Sequence, residues 1–159
     1  MPQTEMTCHS PATEQAPDGA TRIALIGSPN GGKTSIFNQL TGLHAKTGNY
    51  PGVTVSRSEG VARIHDHTFA IEDLPGTYSL SPISPDEQVV VDVLDGRMDQ
   101  VSAPDALVVV ADATALRRSL LLLAEVLPRH LPTAVVVTMT DELRRRQGSL
   151  DVTALSQAL

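Results

Sequence analysis

The chain has 159 residues, 41% of them hydrophobic, and a net charge of −6, which is enough length and apolar content for one domain with one core. No block of like charge exceeds Arg144-Arg145-Arg146, which excludes a nucleic-acid footprint or a polybasic membrane patch, and no apolar run approaches the ~18 residues needed to cross a bilayer. A single cysteine, Cys8, has no disulfide partner and suits a reducing compartment.

Residues 1–20 are rich in Pro, Thr, Ser, Gln and Glu and lack the basic start and apolar stretch of a secretory signal. They are expected to form a disordered tail, with one domain over 21–159. From Arg22, "RIALIG" predicts a buried strand, and "KTSIFNQLTG" a helix ended by Gly42. "LHAKTGNYPGVT" has no periodicity and reads as a loop. "VSRSEGVARI" and "HTFAIED" predict neighbouring strands joined through "HDH". After the loop "DLPGTYSLSPISP", Asp86-Glu87 opens a helix, and the unbroken apolar run "DALVVVAD" predicts a strand covered on both faces. "LRRSLLLLAEVLPRH" predicts a helix, "TAVVV" a strand, and a last helix is expected from near Asp151. Such an order specifies an α/β fold, a mostly parallel sheet with helices on both faces, in which ligands bind beyond the carboxyl ends of the strands.

The residues following those strands carry chemistry. "GSPNGGKT", Gly27 to Thr34, fits G-x-x-x-x-G-K-[ST] with a strand before it and a helix after. Glycines let successive N–H groups curl toward phosphate oxygens at a helix N-terminus. The nucleotide-facing set is expected to comprise Gly27, Ser28, Pro29, Asn30, Gly31, Gly32, Lys33, Thr34 and Ser35, with Lys33 between the β- and γ-phosphates and the Thr34 hydroxyl on Mg²⁺. "IEDLPG" places Asp73 at a strand end, where its carboxylate can hold Mg²⁺. Leu74 and Pro75 lead on to Gly76, whose amide can approach a γ-phosphate. "NYPGVTV" places Gly52, Val53 and Thr54 in the earlier loop, with Thr54 within reach of metal and phosphate. Loops of this kind are held while the γ-phosphate is present and relax when it leaves.

The strand "TAVVV" runs into Thr138-Met139-Thr140-Asp141. In GTPases of this architecture the motif is Asn-Lys-x-Asp, and its aspartate accepts hydrogen bonds from guanine, for which adenine has no matching donor pair. Taken with "GSPNGGKTSIFNQLTG", "TGNYPGVTV", "DLPGTYSLSPIS" and "DATALRRSLLLLAEVL", the chain resembles the amino-terminal GTPase domain of the ferrous iron transport protein B family over residues 22–159. The resemblance implies a Ras-like fold, GTP or GDP and Mg²⁺ as ligands, and Fe²⁺ import as the process. It also implies a membrane-spanning region downstream with this domain on its cytoplasmic face. Thr138 and Met139 stand where the family commonly has Asn-Met, which implies weakened guanine affinity, with Asp141 preserving the preference over adenine. The chain ends before the sixth strand and base-backing loop of the architecture, so a missing final strand and helix, and an open sheet edge, are expected.

Ras-type enzymes place a water-orienting glutamine after Asp-x-x-Gly; Thr77-Tyr78 stand here, so slow hydrolysis is expected. Asn30 occupies the position that, in potassium-activated GTPases resembling this family, helps hold K⁺ beside the phosphates; the alternative is an asparagine that only stabilises the loop. Lys33, Thr54, Gly76 and Asn30 thus form the expected catalytic set. The His65-Asp66-His67 triplet reads as a hairpin tip rather than a metal site. Tyr50 and Tyr78 suit either partner contact or packing. Other functional readings are a soluble ribosome- or RNA-associated GTPase of the Era/HflX kind, and a non-hydrolysing nucleotide sensor.

Overall fold

Residues 16–159 are described by a computed structural model. Cys8 and most of the expected tail lie outside them. The apolar run after Ala20 becomes β1 (Thr21–Gly27), which sits inside a six-stranded sheet. It pairs in parallel with β4 (His67–Asp73) on one side and β5 (Ala106–Asp112) on the other. Successive residues of a strand face opposite sides. Ala24 and Ile26 therefore join a cluster with Val89, Val90 and Val93 of α2 (Pro85–Leu94) and Leu122 and Val126 of α3 (Leu116–Val126). Leu25 faces the other way, against Phe37 of α1 (Lys33–Thr41) and Ile71 of β4. Both faces are covered, which is why β1 and β5 lack polar alternation. Each such side chain contributes roughly 2 kcal/mol on leaving water, so this double core dominates the favourable terms of folding.

The sheet order is β2-β3-β4-β1-β5-β6, with β3 (Ser56–Ile64) antiparallel to β4 and β6 (Thr133–Thr138) parallel to β5. The α/β architecture is the one the pattern specifies, with two corrections. Part of the expected loop before Tyr50 is an edge strand, β2 (Ala45–Asn49), paired with β3 from Ala45 opposite Gly60 to Asn49 opposite Ser56. Backbone pairing to β3 holds it, and its largely exposed side chains show no alternation. A short helix, α4 (Thr140–Arg145), also follows β6 and precedes the expected last helix, α5 (Val152–Ala158), whose Asp151 side chain caps the Ala154 amide at 2.9 Å. Among the described residues β6 pairs only with β5. α2 begins one residue earlier than Asp86, because Ser84 is its N-cap and Pro85 fits the first helical position.

All four parallel strands end on one side, at Gly27, Asp73, Asp112 and Thr138. That edge is where the candidate residues gather.

Candidate functional site

β1 ends in a loop whose geometry follows from its small residues. The Gly31 amide turns back onto the Ser28 carbonyl at 3.2 Å, Asn30 sits at φ 60°, and Gly32 at φ 87° leads into α1. No side chain caps the first turn of α1, so its amide groups face a cleft rather than a cap. That cleft, of about 440 Å³, is lined by Ser28, Pro29, Asn30, Gly32, Lys33, Thr34, Ser35, Gly76 and Met139. An adjoining cleft of about 350 Å³ shares Lys33 and Gly76 and adds Thr54, Asp73, Leu74, Pro75 and Asp86. Gly52, Val53 and Thr54 line a further concavity with Asp86. A larger cavity, about 580 Å³, lies at the opposite end of the sheet among Arg22, Lys46, Glu59 and Asp105. Its mixed charges and its distance from the strand carboxyl ends make it the weaker candidate.

Lys33 and Thr34 converge on one carboxylate. Lys33 Nζ pairs with Asp73 Oδ1, and Thr34 Oγ1 donates to Asp73 Oδ2 at 2.9 Å. The lysine and aspartate side chains are only 10% and 9% exposed. Removing either partner of so buried a pair leaves an uncompensated charge, at a cost of about 3–5 kcal/mol. A hydroxyl beside a carboxylate, with Thr54 on the same cleft, is a hard-oxygen donor set. It suits Mg²⁺, which takes one or two carboxylates and completes its shell with water and phosphate oxygens.

The segment after Asp73 stays bound to β1: the Leu74 amide donates to Leu25 O at 3.2 Å and the Thr77 amide to Gly27 O at 3.0 Å. Gly76 is a glycine for a steric reason. A Cβ there would lie 2.8 Å from Pro29 Cα and 2.9 Å from Pro29 N. The fully buried Thr77 donates its hydroxyl to Ser79 O at 2.6 Å. Tyr78 is exposed under the Arg118 guanidinium, 5.8 Å from its ring centroid.

On the other side, Thr138 Oγ1 donates to Gly31 O at 2.6 Å, and Met139, at φ 56°, lines the cleft of about 440 Å³. Asp141 sits on the outside of α4, its side chain 69% exposed and paired with Arg145 at 3.0 Å. The structure thus brings Lys33, Thr34, Thr54, Asp73 and Gly76 together around adjoining clefts and ties Thr138 to Gly31, whereas Asp141 lines neither cleft.

Two contributions escaped sequence reading. Asp86 lines the cleft with Thr54, although its position at the start of α2 was the only signal it gave. Glu72 reads as strand-end polarity, yet it is buried and binds three partners. Tyr50 donates its phenol to Glu72 Oε1 at 2.9 Å, Arg57 Nε reaches the same oxygen at 3.0 Å, and Arg22 Nη2 reaches Oε2 at 3.1 Å. Burial, and next the Glu72 charge, push the Tyr50 phenol well above its ordinary range. Burial works against the Arg57 charge, but Glu72 and Glu59 outweigh it and raise that guanidinium. Between β3 and β4, His65 takes φ 54° and forms the expected hairpin tip. Among the described residues no cluster of three His, Cys, Asp or Glu could hold a metal, and no helix is long and apolar enough to cross a membrane.

A family model described as "Ferrous iron transport protein B" matches residues 21–159. The chain is 43% identical over 147 residues to the Fe(2+) transport protein A/Fe(2+) transporter FeoB fusion protein of Porphyromonas gingivalis, covering 92% of this chain and 17% of that one. It is 42% identical over 137 residues to the Fe(2+) transporter FeoB of Leptospira biflexa, covering 86% and 19%. The chain thus spans less than a fifth of these curated relatives. Among solved structures, the G domain of T. maritima FeoB superposes with a TM-score of 0.77 at 39% identity, over 88% of this chain and 82% of that one. The cytosolic domain of the same transporter in a GDP form superposes with a TM-score of 0.78 at 38% identity, over 87% and 52%. The chain belongs to the ferrous iron transport protein B (FeoB) family, and its mostly parallel sheet with flanking helices is the Ras-like fold of that family's G domain.

Proposed function

We propose that this is a GTP-binding and GTP-hydrolysing domain that regulates ferrous iron transport, with nucleotide state read by the loops carrying Thr54 and Asp73. The observation that carries the reading is the convergence of Lys33 and Thr34 on Asp73 at the mouth of the Gly27–Thr34 loop. The similarity to a GDP form of a FeoB cytosolic domain supports a guanine nucleotide. In this reading Lys33 holds the β- and γ-phosphates, and Gly76, seated on Pro29, offers its amide to the terminal phosphate. Thr34, Thr54 and Asp73 hold Mg²⁺, which neutralises phosphate charge when bound.

Asp141 selects guanine over adenine. Its exposed pairing with Arg145 is worth at most about 1 kcal/mol, so exchanging the arginine for a base costs little. The Thr77 hydroxyl spends its single proton on Ser79 O and so has none to donate to an attacking water, which supports slow hydrolysis. Asn30, on the phosphate cleft, holds K⁺ and so supplies charge that a side chain does not. The domain sits on the cytoplasmic side of a membrane-spanning region downstream, to which the two loops report.

The engaged Thr77 also favours a second reading, a nucleotide sensor that does not hydrolyse. Phosphate release from GTP in Mg²⁺ and KCl separates them. The first reading expects slow multiple-turnover release, abolished by Lys33→Ala; no release above that variant's background would leave the sensor.

A further inference from the structure

Two residues outside the phosphate clefts connect the loops that line them. Tyr50 is 1% exposed, although it lies in a Gly/Pro-rich loop. Its amide donates to Val55 O at 2.9 Å and its carbonyl accepts from Val53 N at 3.3 Å, so the turn presenting Thr54 closes on Tyr50 at its root. The phenol of the same residue donates to Glu72 Oε1 at 2.9 Å. Glu72 immediately precedes Asp73. Side chains alternate along β4, so Glu72 shares the face of Ala24 and Asp73 that of Leu25. One peptide unit therefore separates the carboxylate gripping the Thr54 loop from the one gripping Lys33 and Thr34.

Stability alone does not account for this arrangement. Glu72 stands directly opposite Glu59 in the β3–β4 register, a like-charge pairing that destabilises a sheet. Arg22 and Arg57 each bridge the two carboxylates, at 3.1–3.2 Å and 3.0–3.3 Å. A buried ionic cluster of this kind is generally no more stabilising than well-packed apolar residues of similar volume. What it does supply is one fixed position for the Tyr50 hydroxyl.

We infer that Tyr50 and Glu72 are positioning residues that tie the Thr54 loop to the Asp73 strand, so that the two phosphate-sensing segments order together. This rests on the nucleotide reading above. Tyr50→Phe keeps the ring and its packing and removes only the coupling hydroxyl. Glu72→Gln keeps an oxygen facing the phenol while removing the charge that both arginines use. Fluorescent GDP and a non-hydrolysable GTP analogue are titrated into the parent chain and both variants in Mg²⁺, with melting temperatures taken alongside. Coupling predicts that Tyr50→Phe lowers the analogue-to-GDP affinity ratio roughly tenfold and that Glu72→Gln holds it within about twofold. Glu72→Gln nevertheless loses more melting temperature. If the ratio in Tyr50→Phe equals that of the parent, or if the losses in ratio simply follow the losses in melting temperature, the pair is structural and the inference is overturned. A parent chain that binds neither nucleotide overturns the nucleotide reading and this inference with it.

Discussion

The Thr138 hydroxyl donates to the Gly31 carbonyl at 2.6 Å, fastening the end of β6 to the phosphate loop. A threonine hydroxyl has a single proton, so one used on Gly31 is not available to a base. Thr138→Val preserves the side-chain outline and leaves the Gly31 carbonyl without this donor. We expect a loss of about 1–2 kcal/mol in stability and a GDP affinity weakened severalfold, read by thermal denaturation and fluorescent-nucleotide titration. An unchanged affinity would mean that the loop keeps its shape without β6.

Gly76 presses on Pro29 so closely that a methyl group would overlap the backbone. Neither segment yields easily, since the Thr77 amide holds the Gly76 side to Gly27 O at 3.0 Å. Gly76→Ala is expected to lose about 1–3 kcal/mol of stability. It should also bind a GTP analogue less well while binding GDP nearly as the parent does, because in the proposed function the displaced amide is the one offered to the terminal phosphate. Equal losses for the two nucleotides would place the damage in the phosphate loop instead.

Much of this site could be read in advance because its signals are local. The glycines and Lys33 of the phosphate loop, Asp73 at a strand end, and the apolar run of β5 each announce themselves within about eight residues. β2 does not. Lys46, Thr47, Gly48 and Asn49 are exposed and lack alternation, and they form a strand only because β3 offers a free edge. Six-residue α4 is too short to show a helical period. Glu72 was illegible for a different reason: its partners, Arg22, Tyr50 and Arg57, come from three other places in the chain, and no spacing within "IED" forecasts them. Asp141 stands out in the sequence as a motif residue, but nothing in the motif foretells Arg145 as its neighbour on the surface.

The buried phenol of Tyr50 carries a pH signature. Its folded-state pKa is raised above that of an unfolded tyrosine, by burial first and by Glu72 next. The stability it contributes is therefore complete below about pH 10 and is lost progressively as pH rises beyond that value, where the unfolded chain ionises and the folded one does not. In a Tyr78→Phe background, tyrosinate absorbance should appear together with alkaline unfolding measured by circular dichroism. Absorbance that rose while the fold persisted would show the phenol to be less enclosed.

Asn30 makes a separable prediction. If it holds K⁺ beside the phosphates, GTP hydrolysis should be about tenfold or more faster in KCl than in NaCl at equal ionic strength. Asn30→Ala should remove the difference while leaving GDP affinity nearly intact. Equal rates in the two salts would leave Asn30 a loop-shaping residue at φ 60°.

In the proposed function the loop around Lys33 grips a guanine nucleotide and Asp141 selects the base. Calorimetric titration of the chain with GDP, GTP and ATP in Mg²⁺ tests it most directly, with Lys33→Ala and Asp141→Ala as controls. Tight GDP and GTP binding, weak ATP binding, loss of all binding with Lys33→Ala, and loss of the guanine preference with Asp141→Ala are expected. ATP binding as tightly as GTP to the parent chain, or GDP affinity untouched by Lys33→Ala, would contradict it.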